Sequence, residues 1–204
     1  MPRLYSIKPA ITLRGRKFRG LRGWAGKPLH PPLTDFPIVS YVLCAAFDLV
    51  SFVAWKAKGS GSTIPSDAFV AATWVIVCGA VVSLGTALTG FWDWWKGIAR
   101  DRSTGPIGRA RHTQVWRTIN WHATVMLTVT AIVIVDVVVR LIQYDRHHAT
   151  LPLTILSVIA GLLVSFGATY GGSLVFDYQF NVEELAGSTV YDESETDQMP
   201  GNKP

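Results

Sequence analysis

Three histidines in this chain have the chemistry of ligands. His30 stands in His30-Pro31-Pro32, His112 lies six residues before Thr118, and His122 follows further along the same hydrophobic stretch. A neutral imidazole nitrogen can bind haem iron axially, or a divalent ion together with carboxylates. Asp93 and Asp177 are the carboxylates that fall at the same level. Position along the chain pairs His30 with His112 and leaves His122, about 6 Å deeper, as the substitute ligand. Haem b is the cofactor such a pair would hold. No metal-binding spacing such as His-Glu-x-x-His accompanies these residues, so histidines bonded to backbone or headgroups are the alternative. His147 and His148 are adjacent, cannot share a helix face, and read as a solvated loop.

A second constellation is charged. Asp136 and Arg140 are four residues apart and share a helix face, and Asp48 lies at a similar depth in another hydrophobic stretch. A lone charge at the centre of a bilayer costs roughly 2.5–3.5 kcal/mol. Asp48, Arg140 and Asp136 are therefore expected to cluster as a structural intramembrane ion pair. A proton or ion path is the other reading, and the second and fourth hydrophobic stretches bring no ionisable chain to support it. Cys44 and Cys78 have no metal-ligand spacing and read as small buried apolar side chains.

These residues sit in an unusually apolar chain. Of its 204 residues, 49% are hydrophobic and only 16% charged, and the mean hydropathy is +0.28. A soluble domain is typically about 25% charged, so an ordinary soluble protein and a disordered one are both disfavoured. The apolar residues concentrate in four stretches, and a bilayer core of about 30 Å needs roughly 20 of them as a helix. Strands that cross a membrane are about 10 residues long and alternate in polarity, which these runs do not. The fold class is all-α, an integral membrane four-helix bundle, with helices expected at about 36–55, 68–92, 118–142 and 151–176. The domain plan is a basic N-terminal tail over 1–35, the transmembrane domain over 36–182, and an acidic tail over 183–204 that is expected to be disordered. The first 30 residues lack the apolar run of a signal peptide, so the first helix reads as retained.

Charge sets the expected orientation. With four helices, the N-terminus, the loop between helices two and three and the C-terminus share one side, and fifteen of the nineteen basic residues fall there. The positive-inside rule makes that side cytoplasmic, with both termini inside. Trp92, Trp94, Trp95, Trp116 and Trp121 fall at the same boundary, where indoles favour the headgroup level. The basic tail could attract anionic lipid or the acidic tail, or serve only to fix topology. The formal net charge of +5 comes without a base-stacking module or reading helix, so nucleic acid is not an expected partner.

Small residues supply the packing faces: Gly167 with Gly171 in helix four, and Gly79 with Ser83 in helix two. Such faces serve a helix of the same chain or of a second copy, which leaves homo-oligomers open. No activated nucleophile, phosphate loop or acid–base pair can be placed, so an enzyme is the weaker expectation. Four helices without inverted repeats or a broken midplane helix make a transporter the least favoured reading.

The chain resembles the domain-of-unknown-function 2231 family of four-helix bacterial membrane proteins. The resemblance rests on His30-Pro31 with Phe36-Pro37, Asp48, Thr89-Gly90-Phe91-Trp92-Asp93, then His112, Asn120 and Arg140, and finally Gly171-Gly172-Ser173-Leu174-Val175-Phe176. It covers about residues 30–182. The family usually continues with two glycines, where this chain has Gln179 and Asn181. The resemblance implies a bacterial cytoplasmic membrane and no established activity. Some members are joined to Rieske iron–sulfur or cytochrome c-type domains, which implies a redox partner by analogy. The specific expectation is a redox accessory module that holds haem b and passes electrons to an iron–sulfur or cytochrome partner. The alternative is a non-catalytic scaffold or lipid-interacting protein.

The orientation is testable with a reporter fused to the C-terminus. A reporter that works only in the cytoplasm should be active, and activity of a periplasmic reporter instead would reverse the assignment of sides.

Overall fold

The computed structural model describes residues 20–21, 28–98, 102–104 and 110–180. Four long helices dominate it: α1 (His30–Lys58), α2 (Ile64–Ile98), α3 (Gln114–Ile142) and α4 (Leu151–Phe176). Each is long and apolar enough to cross a membrane. The neighbours in the bundle are α1 with α2, α2 with α3, α3 with α4, and α4 with α1, so α1 and α3 stand diagonally opposite. Between α2 and α3 a short antiparallel ribbon pairs β1 (Arg102–Thr104) with β2 (Ala110–His112). The acidic tail over 183–204 lies outside the described residues, as does most of the basic tail over 1–35.

The helix starts differ from those expected. Helix one begins at His30 rather than near residue 36, because Pro31 and Pro32 occupy its first turn. The first-turn N–H groups have no partner within a helix, so proline costs nothing there, and its fixed φ suits the turn. A proline pair that reads as the end of a tail is thus the start of a span. Pro37, inside the helix, is buried. Helices two and three also begin earlier, at Ile64 and Gln114. Thr113 caps α3 by accepting from Trp116 N–H at 3.1 Å. Helix four keeps its expected bounds.

The bundle is apolar outside and partly polar inside. Trp74, Val81, Leu88, Leu127, Ile134 and Leu162 face outward, each at least half exposed. In water such a surface would be an interaction site; around a bundle of spanning helices it is the surface that meets lipid. Inside, an apolar core of Tyr41, Cys44, Ile76, Val129, Val133 and Val164 alternates with buried Asp48, Ser51, Thr73, Asp136, Arg140 and Ser157. Close approach relies on small residues, since lipid-embedded helices gain no hydrophobic drive from associating. A Cβ on Gly79 would lie 2.6 Å from Ser40 Cβ, and one on Gly167 3.0 Å from the Val125 and Met126 side chains. The small faces read in the sequence therefore meet helices of the same chain.

At the end that carries the α1–α2 and α3–α4 connections, Ser51 ties three elements together. Its hydroxyl donates to Pro65 O at 2.7 Å and accepts from Ala149 N–H at 2.9 Å, all buried. Ser51→Ala removes the acceptor of a buried N–H and should cost about 1–3 kcal/mol of stability. Detergent-unfolding curves check this, with the exposed Ser60→Ala as the near-neutral control.

Candidate functional site

Two polar clusters occupy the interior, one at each end of the bundle. In the first, Arg140 of α3 is wholly buried, and so are Asp48 and Asp136. Its guanidinium meets Asp48 with both arms: Nη1 donates to Oδ1 at 3.0 Å, and Nη2 donates to Oδ2. On its own helix, Nε and Nη2 donate to Asp136 Oδ1 at 3.2 and 3.0 Å. Nη1 also reaches Thr73 Oγ1 of α2 at 3.5 Å, and the Phe69 ring lies beneath the cation at 5.3 Å. The fixed fork of arginine suits such bidentate pairing, which a lysine could not reproduce. Burying a charge is tolerable only when its donors are satisfied, and here each guanidinium nitrogen has a partner.

The thiol of Cys44 adjoins this cluster, 3.6 Å from Arg140 Nη2 and 3.7 Å from Asp48 Oδ2. Ligand atoms of Cys44, Asp48 and Asp136 all lie within 4.8 Å of one another, a set that could hold a metal ion. The guanidinium already occupies both oxygens of Asp48 and one of Asp136, so a cation would have to displace it. Cys44 thus lies in a polar site, where the sequence suggests only an apolar filler. Cys78 is exposed.

The second cluster is the histidine pair, and it is not the expected one. The rings of His30 and His122 lie 6.5 Å apart between centroids, at 85° to one another. His112 stands outside α3, in β2 opposite Arg102, and its side chain lies outside the described residues. Both rings of the close pair are anchored through Nδ1. His30 Nδ1 meets Thr86 O at 3.0 Å and Thr89 Oγ1 at 3.3 Å; His122 Nδ1 meets Gly167 O at 2.9 Å. A carbonyl only accepts, so this network assigns the proton to Nδ1 in each ring and leaves each neutral Nε2 with a lone pair. Missing side chains make room for the rings: a Cβ on Gly90 would lie 2.6 Å from His30 Cε1, and one on Gly171 3.1 Å from His122 Cε1.

The two clusters share one register. Eighteen residues separate His30 from Asp48 on α1, and eighteen separate His122 from Arg140 on α3. Eighteen residues make about five turns, or about 27 Å. Each histidine therefore lies on the same face as its charged counterpart, and α1 and α3 run in the same direction. Rotating α1 and α3 so that Asp48 meets Arg140 also turns His30 toward His122. That equal spacing is the sequence signal that selects His122 over His112. Thr73, Thr86 and Thr89 carry no comparable signal, because threonines in a hydrophobic helix commonly bond to their own backbone, as these also do.

The remaining candidates are placed elsewhere. Asp93 is buried and accepts from Leu21 N–H at 3.0 Å. Asp177 is exposed just beyond α4. His148 stacks on Trp55, with centroids 3.9 Å apart and planes at 11°. Asn120, one of the residues that carry the resemblance, accepts from Trp94 Nε1 at 3.2 Å and so joins α2 to α3.

Gly90→Ala should push the His30 ring off Thr86 O and cost about 1–3 kcal/mol. The imidazole nitrogen resonances of His30 and the unfolding midpoint report both effects. Gly85→Ala, with open space at its Cβ, should leave them unchanged; a similar response from both variants would contradict the close packing.

No curated protein and no solved structure matches the chain. A family model described as a predicted membrane protein, domain of unknown function 2231, matches residues 26–184. That span takes in the four helices, the charged cluster and the histidine pair, and the chain belongs to this membrane-protein family.

Proposed function

We propose that the protein is a membrane-embedded electron-transfer accessory in which His30 and His122 hold haem b. The observation that carries this reading is the pair of anchored rings whose Nε2 atoms have no hydrogen-bond partner among the described residues. A metal held between two imidazoles, about 2 Å from each nitrogen and with a ring radius of about 1 Å beyond it, would put the ring centroids roughly 6 Å apart. The observed 6.5 Å matches that separation, and haem further requires an apolar slot between α1 and α3 to take the macrocycle. The ligand count favours haem over a free ion. Among the described residues two imidazoles converge, fewer than the three or four ligands that a divalent ion held by protein alone takes. Asp93, the carboxylate that the sequence offers as a further ligand, is engaged with Leu21.

The residues of the chain have definite tasks in this reading. Thr86 O and Gly167 O fix the tautomer and orientation of the two imidazoles and raise their basicity, as backbone acceptors do behind metal ligands. Gly90 and Gly171 leave space for the rings. The diagonal placement of α1 and α3 presents the ligands from opposite sides of the bundle. The bound group would supply one-electron chemistry. The positive-inside rule supports reading this end as the cytoplasmic face of a bacterial membrane, where an iron–sulfur or cytochrome partner would exchange electrons. A scaffold or lipid-interacting role is the second reading. It is supported by the same bonds, since each histidine also ties two helices together.

A visible spectrum of protein purified in detergent, from cells supplied with haem precursor, separates the two. A Soret band that sharpens on reduction, lost in His30→Ala and in His122→Ala but kept in His112→Ala, is the expected result. Correctly folded protein with no such band refutes the haem reading and leaves the scaffold.

A further inference from the structure

The charged cluster contains an imbalance that its hydrogen bonds do not resolve. Two carboxylates face one guanidinium, and all three are fully buried. Of the four carboxylate oxygens, both of Asp48 and Oδ1 of Asp136 accept from Arg140. Oδ2 of Asp136 is buried and has no hydrogen-bond partner among the described residues. Among the described residues no second cation compensates. From α1 the site is faced by Asp48 and the Cys44 thiol, and from α2 by Thr73 and Phe69. α4 contains no Lys, Arg or His, and its one titratable side chain, Tyr170, lies well over three turns from the α4 start. Asp67, near the same end on α2, is exposed. With both carboxylates ionised, the bundle interior would hold an uncompensated negative charge, which the low dielectric strongly disfavours.

We propose that Asp136 is a proton-binding site, and that Oδ2 carries an exchangeable proton while Asp48 remains the ionised partner of Arg140. The assignment follows from the contacts. Protonating Oδ2 disturbs none of the Arg140 bonds, whereas protonating either oxygen of Asp48 would break one arm of the bidentate pair. The bound species is a proton rather than a metal ion, because a metal ion among Cys44, Asp48 and Asp136 would sit against the guanidinium. The step is a simple equilibrium: the Asp136 carboxylate takes a proton from water and becomes a neutral acid. The site is independent of the histidine reading, since Asp136 lies about four turns from His122 on the same helix.

Infrared spectroscopy of the full chain, carrying isotope-labelled aspartate, tests this directly. At neutral pH the wild type should show one protonated-carboxyl C=O band that moves with the label and shifts down in heavy water. The band should be lost in Asp136→Asn, which keeps the cluster neutral and should fold as the wild type does. It should also be lost in Asp48→Asn, where Asp136 becomes the sole counter-charge of Arg140 and ionises. A wild type with no such band overturns the proposal even if every variant fails to fold. So does a band that survives Asp136→Asn, or carboxylate bands that respond to sodium, potassium or a chelator instead of to heavy water.

Discussion

A guanidinium inside a lipid-embedded bundle has few ways to be satisfied, and the interior of this protein is arranged around one of them. Water does not reach Arg140, so its donors must find acceptors on the helices beside it. They find Asp48 on the diagonal helix α1, Asp136 one turn back on α3, and the hydroxyl of Thr73 on α2. Each acceptor fixes the rotation of the helix that carries it. Helix–helix packing in lipid is driven by van der Waals fit and is otherwise tolerant of rotation; a buried charge is not. Losing Arg140 strands Asp48, which is the strongly destabilising case, while losing Asp48 leaves Arg140 with Asp136 as its one counter-charge.

The consequences run the length of the bundle. The buried face of α3 passes through Val125, Val129, Val133 and Asp136 to Arg140, and His122 lies one turn before Val125 on that face. The buried face of α1 runs through Pro37, Tyr41, Cys44 and Asp48, with His30 two turns before Pro37. A rotation set at one end is thus transmitted about 27 Å to the other, where two imidazoles meet across the diagonal. The glycines complete the arrangement, since Gly79, Gly90, Gly167 and Gly171 admit the side chains that these rotations bring in. One ionic contact therefore links the packing of the four helices to the geometry of the histidine pair.

Much of the fold was legible in the sequence, because length and hydropathy alone decide what can cross a bilayer. The four spans, and the clustering of three rare charges within them, follow from the cost of leaving a charge alone in lipid. Finer features escaped because competing signals were weak or misleading. The proline pair after His30 suggests a boundary, and only its position in a first turn makes it part of the helix. His112 precedes its hydrophobic stretch by the same interval as His30 does, and that match concealed the better one in helical register. Cys44 looks like any small core residue until Asp48 and Arg140 are placed around it. The threonines of α2 were invisible as partners, since each also bonds within its own helix.

The dependence of the bundle on the Asp48–Arg140 contact is best measured by a double-mutant cycle. Asp48→Asn, Arg140→Gln and the combined variant would be unfolded reversibly in detergent beside the wild type. Arg140→Gln should destabilise the protein by several kcal/mol and Asp48→Asn by less, because Asp136 takes over as counter-charge, and the double change should recover part of the Arg140→Gln loss, with a coupling of about 0.5–3 kcal/mol. A double variant whose cost equals the sum of the singles would contradict the account, because the two residues would then not be coupled across the bundle.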